Sequence, residues 1–86
     1  MPKSKKILII EDEESWYVPL KTKLDHSGFK THLEITCKSA LAYFKENTQD
    51  VDLILLDINL EEKGCGLDVL KNIRDISPNI WIGVMT

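Results

Sequence analysis

Four short apolar runs alternate with three segments of helical periodicity, and this alternation limits the folds open to the chain. The runs lie at 6–10, 29–35, 51–58 and 80–85. The first and third are almost continuously apolar, which is typical of strands that are covered on both faces. Strands that alternate with helices predict an α/β fold, a doubly wound parallel sheet with helices on both faces.

The segments between the runs have apolar residues at intervals of three and four, as amphipathic helices do. The first spans 15–27 and contains Pro19, which predicts a kink or a late start. The second begins after Thr36, a residue type that caps helices. The third ends before Pro78. Four aromatic side chains are expected on the core faces of these elements: Trp16, Tyr43, Phe44 and Trp81.

The composition is that of a soluble globular protein and excludes several functional classes. Hydrophobic residues make up 43% of the 86 residues, and the net charge is −3. A nucleic-acid-binding segment would normally carry a basic excess, so we expect no direct nucleic-acid binding. The apolar runs are too short for a membrane span or a secretory signal, which predicts a cytoplasmic protein without membrane association. Cys37 and Cys65 have neither metal-site spacing nor the density of a disulfide scaffold, so we expect them to be reduced.

Acidic residues follow two of the predicted strands. Glu11 and Asp12 come after the first strand, and Asp57 stands at the end of the third. Ligands of such sheets bind beyond the carboxyl ends of the strands, where the strand order reverses. If these two strands are neighbours, a spacing of about 4.8 Å would bring the three carboxylates into one cleft. Oxygen ligands in a shallow cleft suit Mg²⁺, beside which Asp57 could accept a phosphoryl group.

Each of these carboxylates also has a purely structural interpretation. Acidic residues at 11–14 would stabilise a helix start through the helix dipole. Asp57 would serve as a turn former after its strand. For each carboxylate considered alone, the structural interpretation is favoured. The convergence of all three at the ends of two adjacent strands favours a functional site.

Three segments resemble the receiver domain of bacterial two-component response regulators. They are 7–14, 52–60 and 66–74, and all 86 residues align with that family in order. The resemblance implies a flavodoxin-like fold. It also implies one domain over 1–86 that is incomplete at its C-terminal end, because it lacks the fifth strand and the last two helices.

The resemblance implies a role for each of five residues. Glu11 and Asp12 correspond to the acidic pair that binds Mg²⁺, and Asp57 corresponds to the phosphoacceptor. The backbone carbonyl of Asn59 would complete the metal site, and the hydroxyl of Thr86 would turn toward the phosphoryl group. The implied function is regulatory rather than enzymatic. A histidine kinase or phosphotransfer protein would phosphorylate Asp57, and the resulting conformational switch would control an output.

The chain departs from the family pattern in ways that keep other functions open. Glu11 replaces the commoner Asp, Glu61 stands where a proline is usual, and the lysine of the fifth strand is missing. These departures favour an alternative, a phosphorylation-independent pseudo-receiver that acts as a protein–protein interaction module. A phosphatase of the haloacid dehalogenase type would need an acid in place of Asn59. A flavodoxin-like cofactor binder would need a phosphate loop in place of 11–14.

The fourth apolar run is expected to form an exposed edge of the sheet. Its residues at 80–85 are apolar on both faces. Because apolar edges favour strand pairing between chains, we expect a homodimer, through this edge or through an exchange of elements, or else poor solubility.

Overall fold

The computed structural model describes residues 5–60 and 65–85, which form strands and helices in the predicted alternation. Glu61 and Thr86 lie outside the described residues. Within them, none of the helices is long and apolar enough to cross a membrane. In chain order, the elements are β1 (Lys6–Ile10), α1 (Glu14–His26), β2 (Lys30–Glu34), α2 (Cys37–Glu46), β3 (Leu53–Asp57), α3 (Cys65–Ile76) and β4 (Trp81–Met85).

The four strands form one parallel sheet in the order β2-β1-β3-β4. The predicted doubly wound, flavodoxin-like α/β fold is therefore confirmed. The strand order reverses between β1 and β3, since the chain leaves β1 toward β2 and later continues on the other side. The adjacency of β1 and β3 is also confirmed, with Ile10 opposite Leu56.

The core lies mainly between the sheet and the two helices α2 and α3. All four residues from Ile7 to Ile10 are at most 1% exposed, so β1 is buried on both faces. The other face of the sheet is covered in part by α1, which contacts β2. The main buried cluster consists of Leu8, Ile10, Ala40, Phe44, Val51, Ile54, Leu56, Leu60, Val69 and Ile73.

The helix boundaries follow local chemistry, with one difference at α1. Thr36 caps α2 as predicted, since its side chain accepts a hydrogen bond from the Ser39 backbone N–H at 3.0 Å. As predicted, α3 ends before Pro78. The late start predicted for α1 is wrong, because this helix begins at Glu14 with Pro19 inside it. Proline removes only one backbone donor, and the N–H of Tyr17 still donates to the carbonyl of Glu13 at 3.0 Å.

The aromatic side chains divide between core and surface. Phe44 is fully buried as predicted, and the half-buried Tyr43 stacks on His32 with ring centroids 3.7 Å apart. The prediction is wrong for Trp16 and Trp81, which are 69% and 76% exposed. Trp16 belongs to α1, a helix without buried residues, and Trp81 lies on the edge strand β4.

The two cysteines are paired, contrary to the prediction that both are reduced. A disulfide joins Cys37 to Cys65, with their Cα atoms 6.3 Å apart. Each is the first residue of a helix, and α2 and α3 pack together on one face of the sheet. Since 28 positions separate the two residues in the sequence, their proximity is a consequence of this tertiary packing.

Candidate functional site

Three carboxylates converge at the point where the strand order reverses. Glu11 directly follows β1, and Asp57 is the last residue of the neighbouring strand β3. One oxygen from each of Glu11, Asp12 and Asp57 lies within 4.8 Å of the other two. Glu11 is 5% exposed and Asp57 is 9% exposed, so two of these acidic groups are largely removed from water.

The carboxylates open into a cleft of about 580 Å³ at the carboxyl edge of the sheet. Two acidic side chains of the cluster and the neighbouring Asn59 stand beside apolar side chains from α1 and β4. The lining residues are Glu11, Glu13, Trp16, Leu20, Asp57, Asn59 and Met85. The apolar part of this wall was not expected from the sequence. The signal for it was the position of Trp16 and Leu20 on one helix, four residues apart, just after the acidic patch.

Backbone hydrogen bonds hold two of the carboxylates in place. The N–H of Asn59 donates to Oδ1 of Asp57 at 2.9 Å. The N–H of Asp12 donates to Oε2 of Glu11 at 3.1 Å. The end of β1 is in turn tied to β2, since the N–H of Glu11 donates to the carbonyl of Glu34 at 3.2 Å. The negative charges are thus positioned by the ends of the strands.

Glu11 is the most perturbed acid of the cluster. Burial of its carboxyl group, a hydrogen bond with Asp57 and the negative charge of Asp57 together raise the pKa of Glu11 to about 7. Glu11 therefore releases its proton at a higher pH than an ordinary glutamate does, near pH 7. Above that pH, the cleft concentrates negative charge that a bound cation would neutralise.

The segment after Asp57 is held closely against α3. A Cβ atom on Gly66 would lie 2.5 Å from the backbone oxygen of Ile58, so only glycine permits this approach. Leu60 is 4% exposed and joins the core cluster. Of the five residues that the sequence assigns to the site, the structure brings together Glu11, Asp12, Asp57 and Asn59. The fifth, Thr86, lies outside the described residues.

Comparison with known proteins identifies the family. Residues 7–86 match the family described as the response regulator receiver domain. The chain belongs to this family. It is 37% identical over 71 residues to the alkaline phosphatase synthesis transcriptional regulatory protein PhoP of Bacillus subtilis. It is 36% identical over 69 residues to the transcriptional regulatory protein CpxR of Klebsiella pneumoniae. These matches cover 83% and 80% of the chain, but 28% of each relative.

Solved receiver domains share the fold. A response regulator receiver domain protein from Clostridium thermocellum superposes with a TM-score of 0.85 and 26% identity. That alignment covers 93% of this chain and 63% of the other. A complex of the histidine kinase ThkA with the response regulator TrrA matches with a TM-score of 0.83 and 29% identity, over 95% of this chain and 68% of the other. The protein is thus a receiver domain of the two-component type, and its sequence spans about a quarter of the length of its curated relatives.

The raised pKa of Glu11 predicts how the stability of the metal-free receiver domain depends on pH. Between about pH 4.5 and about pH 7, folded chains retain a proton on Glu11 that unfolded chains have released. The free energy of unfolding should therefore fall as the pH rises through this window. Urea titrations at several pH values in the presence of a chelator would measure this decline.

Matched substitutions isolate the contribution of Glu11. Glu11→Gln should flatten the pH dependence in this window, because the amide does not titrate. Glu14→Gln, which removes an exposed acid of the same patch, should leave the slope unchanged. Equal slopes in the wild type and Glu11→Gln would show that Glu11 does not hold the proton.

Proposed function

We propose that this cytoplasmic receiver domain accepts a phosphoryl group on Asp57 in the presence of Mg²⁺ and relays the signal through a conformational change. The donor would be a phosphorylated histidine on a histidine kinase or a phosphotransfer protein. The role is regulatory, with phosphotransfer promoted by the domain itself. The observation that carries the proposal is the convergence of Glu11, Asp12 and Asp57 within 4.8 Å at the reversal of strand order.

The donor atoms at the cleft fit a magnesium ion. Carboxylate oxygens of Glu11, Asp12 and Asp57 would bind it, together with the backbone carbonyl of Asn59. Mg²⁺ prefers such oxygen ligands and keeps several waters, which an open cleft of about 580 Å³ accommodates. The raised pKa of Glu11 beside Asp57 also fits a cation site, because a cation would stabilise the ionised carboxylates. When bound, Mg²⁺ would neutralise the oxygens of the incoming phosphoryl group.

The hydrogen bonding of Asp57 supports its proposed role as the nucleophile. The N–H of Asn59 holds Oδ1, which fixes the rotation of the carboxylate and leaves Oδ2 to attack. An O–P bond would form to the donor phosphorus while the P–N bond to the histidine breaks, and the imidazole would leave. The product is an acyl phosphate on Asp57. The apolar side chains of Trp16, Leu20 and Met85 would limit the access of water to it.

The other assigned residue is Thr86. Met85 pairs with Asp57 in the sheet, and Thr86 follows it in the sequence. We propose that the Thr86 hydroxyl is the group that responds to the phosphoryl group. We further propose that residues 1–86 form part of a single receiver domain.

Two observations support this function over a phosphorylation-independent interaction module. Replacement of the usual Asp by Glu11 does not prevent the carboxylates from converging. The response regulator TrrA, which has the same fold, is found in complex with the histidine kinase ThkA. A kinase partner for this chain is therefore part of the proposal.

The phosphoacceptor can be tested by mass spectrometry of the intact chain. Incubation with acetyl phosphate and Mg²⁺ should add the mass of one phosphoryl group. Asp57→Asn should abolish the adduct, and so should removal of the cation by a chelator. Asp68→Asn, a substitution of an exposed carboxylate on α3, should leave it unchanged. An adduct that persists in Asp57→Asn would place the chemistry on another residue.

We also propose a homodimer through β4. Among the described residues, β4 pairs only with β3, and its exposed side chains include Trp81 and Val84. An apolar strand edge of this kind favours pairing with a second chain, and a symmetric dimer would use the same edge twice.

Sedimentation of the 86-residue chain at low micromolar concentration tests the dimer. The wild type should sediment as a dimer, and Val84→Lys should shift it toward the monomer by placing charge on the edge strand. Val18→Lys is the matched control, since Val18 on α1 is 47% exposed and Val84 is 46% exposed. A folded wild-type monomer would contradict the proposal.

A further inference from the structure

We propose that Cys37 and Cys65 form a reversible, redox-sensitive link that holds the start of α3 against Ile58 and so raises the cation affinity of the carboxylate cluster. This inference rests on the proposed function, because it supposes that the cluster binds a cation. It assigns a regulatory role to two residues outside the cleft.

The disulfide joins α2 to α3, two helices that β3 separates in the sequence. Cys37 begins α2, whose start is fixed by the cap at Thr36. Cys65 begins α3, which follows the connection from Asp57. With their Cα atoms 6.3 Å apart, the two residues have the separation that a disulfide requires. The start of α3 is therefore anchored to a helix that does not belong to the carboxylate site.

The anchored start of α3 contacts the residues that directly follow Asp57. Among these, the N–H of Asn59 donates to Asp57. Leu60 is buried in the core, and Gly66 packs directly on the backbone of Ile58. Cys65 is adjacent to Gly66. Loss of the link would loosen this contact and, through Ile58, the backbone of Asn59, which supplies a proposed metal ligand.

The sulfur atoms are placed where exchange chemistry can occur. Both cysteines are only partly buried and lie against the core cluster. Both also lie in the first turn of a helix, where the helix dipole favours negative charge. The thiolate is the species that attacks in thiol–disulfide exchange. A small disulfide or a small thiol in solution is therefore a suitable reaction partner.

The reaction balances with a low-molecular-weight disulfide as the oxidant. One cysteine thiolate attacks a sulfur of the small disulfide, which breaks the S–S bond, releases one small thiolate and leaves a mixed disulfide on the protein. The second cysteine thiolate attacks the protein sulfur of that mixed disulfide and releases the second small thiolate. The two protons lost by the protein thiols are taken up by the released thiolates or by solvent. Two small thiols reverse these steps.

The link would act on the site through preorganisation. If the contact with Gly66 already fixes the backbone at Ile58, the neighbouring Asn59 loses less freedom when it binds a cation, so the oxidised chain should bind Mg²⁺ more tightly. Because coupling between two events is reciprocal, bound Mg²⁺ should also favour the disulfide over the dithiol. Cation binding and thiol oxidation would thus reinforce each other.

Titration of the chain with Mg²⁺ in its two redox states tests the inference. Trp16 lines the cleft, so its fluorescence can report binding, and a Trp81→Phe background removes the other tryptophan signal. We expect the Kd for Mg²⁺ to be several-fold lower after oxidation by glutathione disulfide than after reduction by dithiothreitol. The double variant Cys37→Ser with Cys65→Ser should bind like the reduced chain under both conditions.

The possible outcomes separate this inference from the proposed function. Equal Kd values in the two redox states would overturn the link and leave the metal site intact. Failure of glutathione disulfide to consume both thiols, measured by thiol titration, would also overturn the link. Absence of Mg²⁺ binding in both states would overturn the metal site itself, and the inference with it.

Discussion

The parallel pairing of β1 with β3 is the interaction on which the site depends. It places Ile10 opposite Leu56, and the next residue of each strand is an acid. The site at the strand ends is therefore positioned by the most buried part of the sheet. Any change that shifted this register by one residue would turn Glu11 and Asp57 toward opposite faces.

Apolar burial holds together charges that repel each other. A fully buried Ile or Leu side chain contributes about 1.5–3 kcal/mol, and β1 alone has four such residues. This burial favours the strand pairing that keeps Glu11 and Asp57 adjacent. Burial of the Glu11 carboxyl group, followed by its hydrogen bond with Asp57 and the negative charge of Asp57, raises the pKa of Glu11. The carboxylate cluster thus lowers the stability of the folded chain when its groups are ionised, and a bound cation would offset this effect.

The sequence predicts those features that arise from local pattern and from the rules of parallel sheets. The alternation of strands and helices, the cap at Thr36 and the adjacency of β1 and β3 are of this kind. The sequence does not determine the effect of Pro19 on the start of α1, because that effect depends on how many other hydrogen bonds the helix retains. The exposure of Trp16 and Trp81 was missed because helical or strand periodicity does not show which apolar residues lie at an edge or over a cleft.

The remaining features depend on contacts between distant parts of the chain. The pairing of Cys37 with Cys65 requires α2 and α3 to pack on the same face, which no spacing in the sequence reveals. The raised pKa of Glu11 follows from its burial beside Asp57, whereas the sequence shows only two acids 46 positions apart. The placement of the carboxylates could be inferred from topology, but their protonation could not.

We propose that Glu11, Asp12 and Asp57 form one cation site in which a metal ion displaces the proton of Glu11. Calorimetric titration of the chain with Mg²⁺ at pH 7, in two buffers of different ionisation enthalpy, measures both binding and the protons released. We expect saturable binding by the wild type, with release of a substantial fraction of one proton. In Glu11→Gln, any Mg²⁺ binding that remains should proceed without that release. If the binding heat of the wild type did not depend on the buffer, the proposed proton release would be contradicted. Absence of saturable binding would contradict the cation site itself.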